Sequence, residues 1–157
     1  MKKIGLPSGD VTLISDEDLE RVAEWAWRKK TVRPGVNYVE MANKKSKPGI
    51  PLHRFIMNPP DGLLVDHKDG DGMNNQRENL RICTNADNVR NRKLHSNSTT
   101  GYKGVWFYNS HKKYSASIMS HGNKYFLGLY DDPIEAARAY DKKARELHGE
   151  FARPNFK

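Results

Sequence analysis

Hydrophobic positions keep one rhythm before the polar stretch at residues 96–101 and another after it. Before it, apolar residues fall in short clusters broken by Gly, Pro, Asn and charged groups. Val11-Thr12-Leu13-Ile14 reads as a strand, and Ser15 with Asp18 three residues on is a variant of the helix-capping box. Leu19, Val22, Ala23 and Ala26 recur at helical spacing, which predicts a core-facing helix from about Asp16. Trp25 and Trp27 are expected to pack in the core, with base stacking as the alternative. Pro34-Gly35 predicts a turn, residues 37–42 a strand, and Asn43 to Gly49 a basic hairpin loop.

Pro51 to Met57 predicts a helix that Asn58-Pro59-Pro60 cannot continue. Leu63 to Val65 reads as a strand and Lys68 to Met73 as a glycine-rich acidic turn. Gln76 to Leu80 can make one helical turn, and Ala86 to Lys93 a second helix. That order describes a compact ββα unit. Ser96 to Gly101 is small, polar and free of apolar anchors, so it reads as a linker.

From Tyr102 the period becomes two, with strands expected at 104–108, 114–119 and 124–129. Asp131 or Asp132 should cap a helix starting at Pro133, whose apolar stripe is Ala136, Ala137, Tyr140, Ala144 and Leu147. A three-stranded antiparallel sheet with one helix across its back satisfies that pattern. The fold class expected is α+β, divided into an amino-terminal segment (1–50), a ββα module (51–95), the linker (96–101) and a sheet-plus-helix domain (102–157).

Composition narrows the partners. The chain has 157 residues, 36% of them hydrophobic, and a formal net charge of +8. Such a balance favours small modules over one large core and points to a polyanion, nucleic acid first and an anionic membrane surface second. No run of eighteen apolar residues exists and no apolar stretch follows Met1-Lys2-Lys3, so a cytoplasmic protein with no membrane partner is expected. Cys83 is the only cysteine. It excludes a disulfide framework and a four-cysteine zinc site, so any metal must be held by oxygen and imidazole.

The chemistry concentrates in Val65-Asp66-His67-Lys68-Asp69-Gly70-Asp71-Gly72-Met73-Asn74-Asn75, then Asn79-Leu80 and Asn85-Ala86-Asp87-Asn88. A carboxylate beside an imidazole, with an amide returning downstream, suits metal-assisted attack on a phosphodiester. The unperturbed pKa of a histidine would suit His67 to activating water. A bend in the chain would let Asp66 join Asn88, offering carboxylate and amide oxygens to a hard ion. In this context Lys44, Lys45 and Lys47 either touch a DNA backbone or form a solvated tip.

Residues 52–93 resemble the HNH endonuclease domain of phage and intron homing enzymes, through His53-Arg54, Asp66-His67, Asp69-Gly70, Asn74-Asn75, Asn79-Leu80 and Asn88. The resemblance implies His67 as general base, Asp66 and Asn88 as ligands of Mg2+ (or Mn2+), and Asn79 as the asparagine that pins the loop, with Asn75 in support. Asn88 stands where many relatives carry a final histidine. Arg54 is open to a phosphate-binding or a structural role, and Arg90, Arg92 and Lys93 are candidate DNA contacts.

Residues 101–156 resemble the apetala-two or ethylene-response-factor DNA-binding domain, through Gly101-Tyr102-Lys103-Gly104-Val105, Tyr125 to Gly128, Glu135 to Asp141 and Asn155-Phe156. In that family the sheet enters the major groove. Strand parity puts Lys103, Trp106, Tyr108, Ser115, Ser117, Met119, Lys124 and Phe126 on the free face. Val105, Phe107, Ala116, Ile118 and Leu127 should face the helix. A dimer contact through the aromatics is the alternative use of that face. The two resemblances together imply a site-preferring DNA endonuclease, monomeric and nicking double-stranded DNA in a bacterial or phage-infected cytoplasm. The rival is a catalytically inactive DNA-binding regulator.

Overall fold

A computed structural model describes residues 1–42, 49–91, 94 and 98–156. Lys44, Lys45, Lys47, Arg92, Lys93 and the first residues of the expected linker lie outside them. The described chain is mixed α and β and clusters into two compact units, Met1–Asn88 and Val89–Lys157.

The first unit opens on β1 (Lys2–Gly5) and β2 (Val11–Ile14), an antiparallel pair. The expected helix from Asp16 is shorter than its periodicity suggests. A 3-10 turn over Asp16–Asp18 leads into α1 (Leu19–Ala23), and Ala26 lies outside it. The capping box is not formed, because both of its side chains serve a distant arginine. Ser15 Oγ accepts from the Arg77 amide at 2.9 Å, and buried Asp18 holds the Arg77 guanidinium at 2.7 and 2.8 Å.

Next come β3 (Trp27–Arg33) and β4 (Val36–Met41), a two-stranded ribbon. The first of these strands has no clear alternation, which is why helical spacing masked it. Trp27 is buried and donates its indole N–H to the Val22 carbonyl at 2.8 Å, whereas Trp25 is exposed. Core and solvent thus divide the two tryptophans.

Then follow α2 (Leu52–Met57), β5 (Leu64–His67), β6 (Asn74–Asn75), β7 (Leu80–Cys83) and α3 (Asn85–Arg90). Asn58 in the left-handed region ends α2. Strands β5 and β7 pair antiparallel, with a turn rather than a helix over Gln76 to Asn79. Strand β6 instead runs parallel to β2, matching Leu13 with Asn74 and Ile14 with Asn75. Leu6, Ile14, Val22, Trp27, Val39, Leu52, Ile56, Val65 and Leu80 form one core. The amino-terminal strands and the ββα residues therefore share their apolar interior.

In the second unit β8 (Val105–Tyr108), β9 (Lys113–Ser120) and β10 (Asn123–Tyr130) form an antiparallel meander with β9 central. Helix α4 (Pro133–His148) packs on one face, capped by Asp132, whose carboxylate accepts from the Ile134 amide at 2.8 Å. Val105, Ala116 and Ile118 are buried with Ala136, Ala137, Tyr140 and Ala144. Phe107, expected toward the helix, is exposed and packs edge-on against Tyr114.

Candidate functional site

A cavity of about 310 Å³ in the first unit is lined by Asp66, His67, Asn88, His53, Arg54, Lys30, Tyr38 and Glu40, among others. Strand β5 presents Asp66 and His67, and α3 brings Asn88 to the same space.

Burial dominates His67 and pushes its pKa below the ordinary value, against the opposing pull of Asn75 and the nearby aspartates. Its Nε2 lies 3.2 Å from Asn75 Oδ1. The amide of Asn75 is oriented by its own donors, because Nδ2 donates to Thr12 Oγ1 at 2.9 Å and to the Gly72 carbonyl at 3.2 Å. Thr12 in turn donates to the Met73 carbonyl at 2.7 Å. With Oδ1 left to accept, Nε2 must carry the hydrogen and Nδ1 the lone pair. A threonine from β2 thus sets the histidine tautomer through an asparagine.

Asn79 pins the loop. Its Nδ2 donates to Asp69 Oδ1 at 3.0 Å and to the Asn74 carbonyl at 2.8 Å, while its Oδ1 accepts from the Asp69 amide at 3.2 Å. Burial would raise the Asp69 pKa, but hydrogen bonds from the Asp71 amide, Asn74 and Asn79 outweigh it and hold the carboxyl low. The ionised Asp69 is built into the loop.

Asp66 is buried opposite Arg81 on β7, whose Nε and Nη2 reach its Oδ2 at 3.0 and 2.8 Å. Among the described residues no three His, Cys, Asp or Glu side chains form a metal cage. A carboxylate and an amide oxygen in one roomy cavity nevertheless fit a hard divalent ion, which keeps much of its own water.

Three neighbours, Tyr38, Thr12 and Arg81, escaped the motif reading, while His53 belonged to the motif without a role assigned to it. His53 stands edge-on to His67 with ring centroids 5.0 Å apart, and its Nδ1 is buried with no hydrogen-bond partner among the described residues. Burial first, then the charges of His67 and Arg54, lower the His53 pKa to about 3, so the ring is neutral. Tyr38 lies 5.9 Å from the His67 ring. Thr12 and Arg81 complete the set, and only the cross-strand register relates Arg81 to Asp66. Arg54 lines the cavity and donates to the Leu63 carbonyl at 2.9 Å.

The free face of the second unit's sheet differs from strand parity in detail. Tyr108, Met119, Lys124 and Phe126 are exposed, with Phe126 reaching 64%, and Lys124 Nζ sits 4.9 Å above the partly covered Trp106 ring. Ser115 and Ser117 are buried, being short side chains of a central strand opposite Trp106 and Phe126. Lys103 is not on this face. It precedes β8, donates to the Arg90 carbonyl at 2.7 Å, and burial lowers its pKa to about 8.

Strands β5 and β7 with α3 make a ββα module, and comparison with known proteins gives its family. Residues 58–90 match the model of the HNH endonuclease family. Over 110 residues, 66% of the chain, it is 36% identical to HNH endonuclease L560 of Acanthamoeba polyphaga mimivirus, and it spans 56% of that protein's length. Over 94 residues, 60% of the chain, it is 30% identical to Protein 3.8 of Escherichia phage T7 and covers 77% of it. The chain belongs to the HNH endonuclease family. No described helix is long and apolar enough to cross a membrane.

Proposed function

We propose that this chain is a site-preferring DNA endonuclease of the HNH homing type that hydrolyses phosphodiester bonds by nicking one strand as a monomer. The observation that carries the reading is the relay from Thr12 through Asn75 to His67, beside Asp66 and Asn88 in one cavity. His67 Nδ1 accepts a proton from water as that water's oxygen attacks phosphorus. The bond from phosphorus to the leaving oxygen then breaks, and that oxygen takes its proton from solvent. Asp66 and Asn88 would hold a divalent ion, Mg2+ before Mn2+, which when bound neutralises charge on the phosphoryl and leaving oxygens. Arg81 holds the Asp66 carboxylate in place through hydrogen bonds from Nε and Nη2 to its Oδ2. In the second unit the face bearing Trp106, Tyr108, Lys124 and Phe126 binds duplex DNA as an apetala-two-like sheet, with Arg90 and Arg54 adding phosphate contacts. The working compartment is the cytoplasm of a bacterium or an infected host.

His67→Ala should lower plasmid nicking by about a hundred- to ten-thousand-fold, the worth of a positioned base, while gel-shift affinity stays near wild type. Asp66→Ala and Asn88→Ala should each raise the metal concentration needed for nicking. A wild-type chain that binds duplex yet never nicks in Mg2+ or Mn2+ is the DNA-binding regulator instead. Full nicking in excess chelator would rule out the metal mechanism.

A further inference from the structure

The β3–β4 ribbon forms one wall of the catalytic cavity through Lys30, Val32, Tyr38 and Glu40. Its register sets Arg28 opposite Glu40 and Lys30 opposite Tyr38, so these four side chains share a face. Glu40 is buried and holds Arg28 at 2.7 Å and Lys30 at 2.8 Å, yet the two cations remain 51% and 49% exposed. One carboxylate is thus used inside to fix two positive groups whose outer surfaces meet solvent. Beyond them the register shifts, so Arg33 stands opposite Val36, two residues from Tyr38, and joins this face beside exposed Val32, while Lys29 pairs with Asp10.

The ribbon is also locked to the catalytic loop. A Cβ on Gly72 would come within 2.6 Å of Tyr38 Cδ1 and would overlap the Asn37 carbonyl, so β4 lies directly on the loop that carries Asn75. Whatever the ribbon grips is therefore held in register with His67.

We propose that this ribbon face is a duplex-DNA surface, on which Arg28, Lys30 and Arg33 hold backbone phosphates beside the cavity. The proposal rests on the nuclease reading for the identity of the polyanion. A two-stranded ribbon is narrow enough for the major groove, and exposed Val32 suits contact with base edges or sugars there. Phosphate contacts carry position rather than sequence. The ribbon accordingly places a phosphate at the cavity whatever the bases are.

The test uses the full chain in chelator, so that nothing is cut, with anisotropy titrations on two duplexes of unrelated sequence across a range of salt. Lys30→Gln and Arg33→Gln should each flatten the slope of log affinity against log salt by about 0.9, one phosphate contact apiece. Both should weaken the two duplexes several-fold and alike. Lys3→Gln on exposed β1 removes the same charge away from the cavity and should leave the slope unchanged. Wild-type slopes in both ribbon variants, or an equal loss in Lys3→Gln, overturn the proposal. If Lys30→Gln melts early because Glu40 loses a partner, Arg33→Gln alone decides. Nicking by the wild type in Mg2+ is read separately. Flattened slopes in a chain that never nicks would overturn the catalytic reading and keep the ribbon, whereas nicking with unaltered slopes would do the reverse.

Discussion

The two units bury polar groups in opposite ways. In Val89–Lys157 the strands pair with their neighbours in the chain, and the buried polar residues of β9 are serines, too short to escape their larger neighbours. Asn91 and Asp141 are buried there as well, and the Asp141 carboxylate accepts from the Asn155 amide, the Asn155 side chain and the Phe156 amide at 2.7 to 2.9 Å. It clips the end of the chain to α4. In Met1–Asn88 the buried set is Thr12, Asp18, Glu40, Asp66, His67, Asn75, Asn79 and Arg81, with Thr12 bonded to Asn75 across sixty-three residues. Burying that many polar groups is stabilising only if each finds a partner. The second unit thus keeps its buried polarity in its scaffold, whereas the first uses part of it, Thr12 and Asn75, to aim a histidine and the rest to hold arginines, a lysine and a loop.

Replacing Asn75 with Ala should show this most strongly. Thr12, the Gly72 carbonyl and His67 would each lose a bond in a dry site, at a combined cost of about 2–4 kcal/mol by the usual penalty for unpaired buried groups. Nicking should fall at least about a hundredfold, because nothing then fixes the tautomer of the base. Denaturation and plasmid nicking on one preparation measure both. A variant with wild-type stability and rate would erase the contrast between the units.

Asp141→Ala is the counterpart in the other unit. Losing charge-assisted bonds should cost about 2–3 kcal/mol. The carboxy-terminal unit should melt earlier, while nicking at saturating enzyme stays unchanged. Loss of nicking in proportion to unfolding of that unit would show that chemistry depends on both.

The same contrast explains what the sequence could tell. The meander and α4 were legible because period two, turn residues and the Asp132-Pro133 start are local signals. So was the run from Asp66 to Asn88, whose spacing carries its own signature. Thr12 was not legible, since its tie to Asn75 depends on β2 running parallel to β6, and no local pattern encodes that pairing. Ser15 and Asp18 misled for a related reason, because a long-range partner, Arg77, outcompeted the cap that their spacing suggests. Strand β3 was lost where charged residues fill both faces, leaving no alternation to read.

Acid should next weaken the first unit through its buried histidine pair. The folded pKa of His53 is about 3 and that of His67 also lies below 6.5, so the unfolded chain binds more protons once pH falls under 6.5. Stability supplied by burying these neutral rings is complete above that pH and declines as pH drops toward the folded values. For His53 the slope reaches about 1.4 kcal/mol per pH unit. Urea denaturation of wild type and His53→Leu across that window checks it. The variant's stability should depend less on pH, and identical dependence in both would mean that His53 is charged in the fold.

Phe126→Ala should have the smallest effect on stability and so draws the sharpest line between scaffold and surface. The side chain is 64% exposed on the sheet face away from α4, where truncation removes little buried area. Its stability cost should stay within about 0.5 kcal/mol. If that face binds duplex DNA, the same change should weaken affinity by about fivefold, which is ~1 kcal/mol. Lys124→Gln should do similarly through its charge and its contact with Trp106. The two variants differ in salt response, since only the lysine releases counterions on binding. A Phe126→Ala chain with unaltered affinity and no loss of stability would leave the aromatic face without a role in DNA binding, and positioning would then fall to the amino-terminal unit.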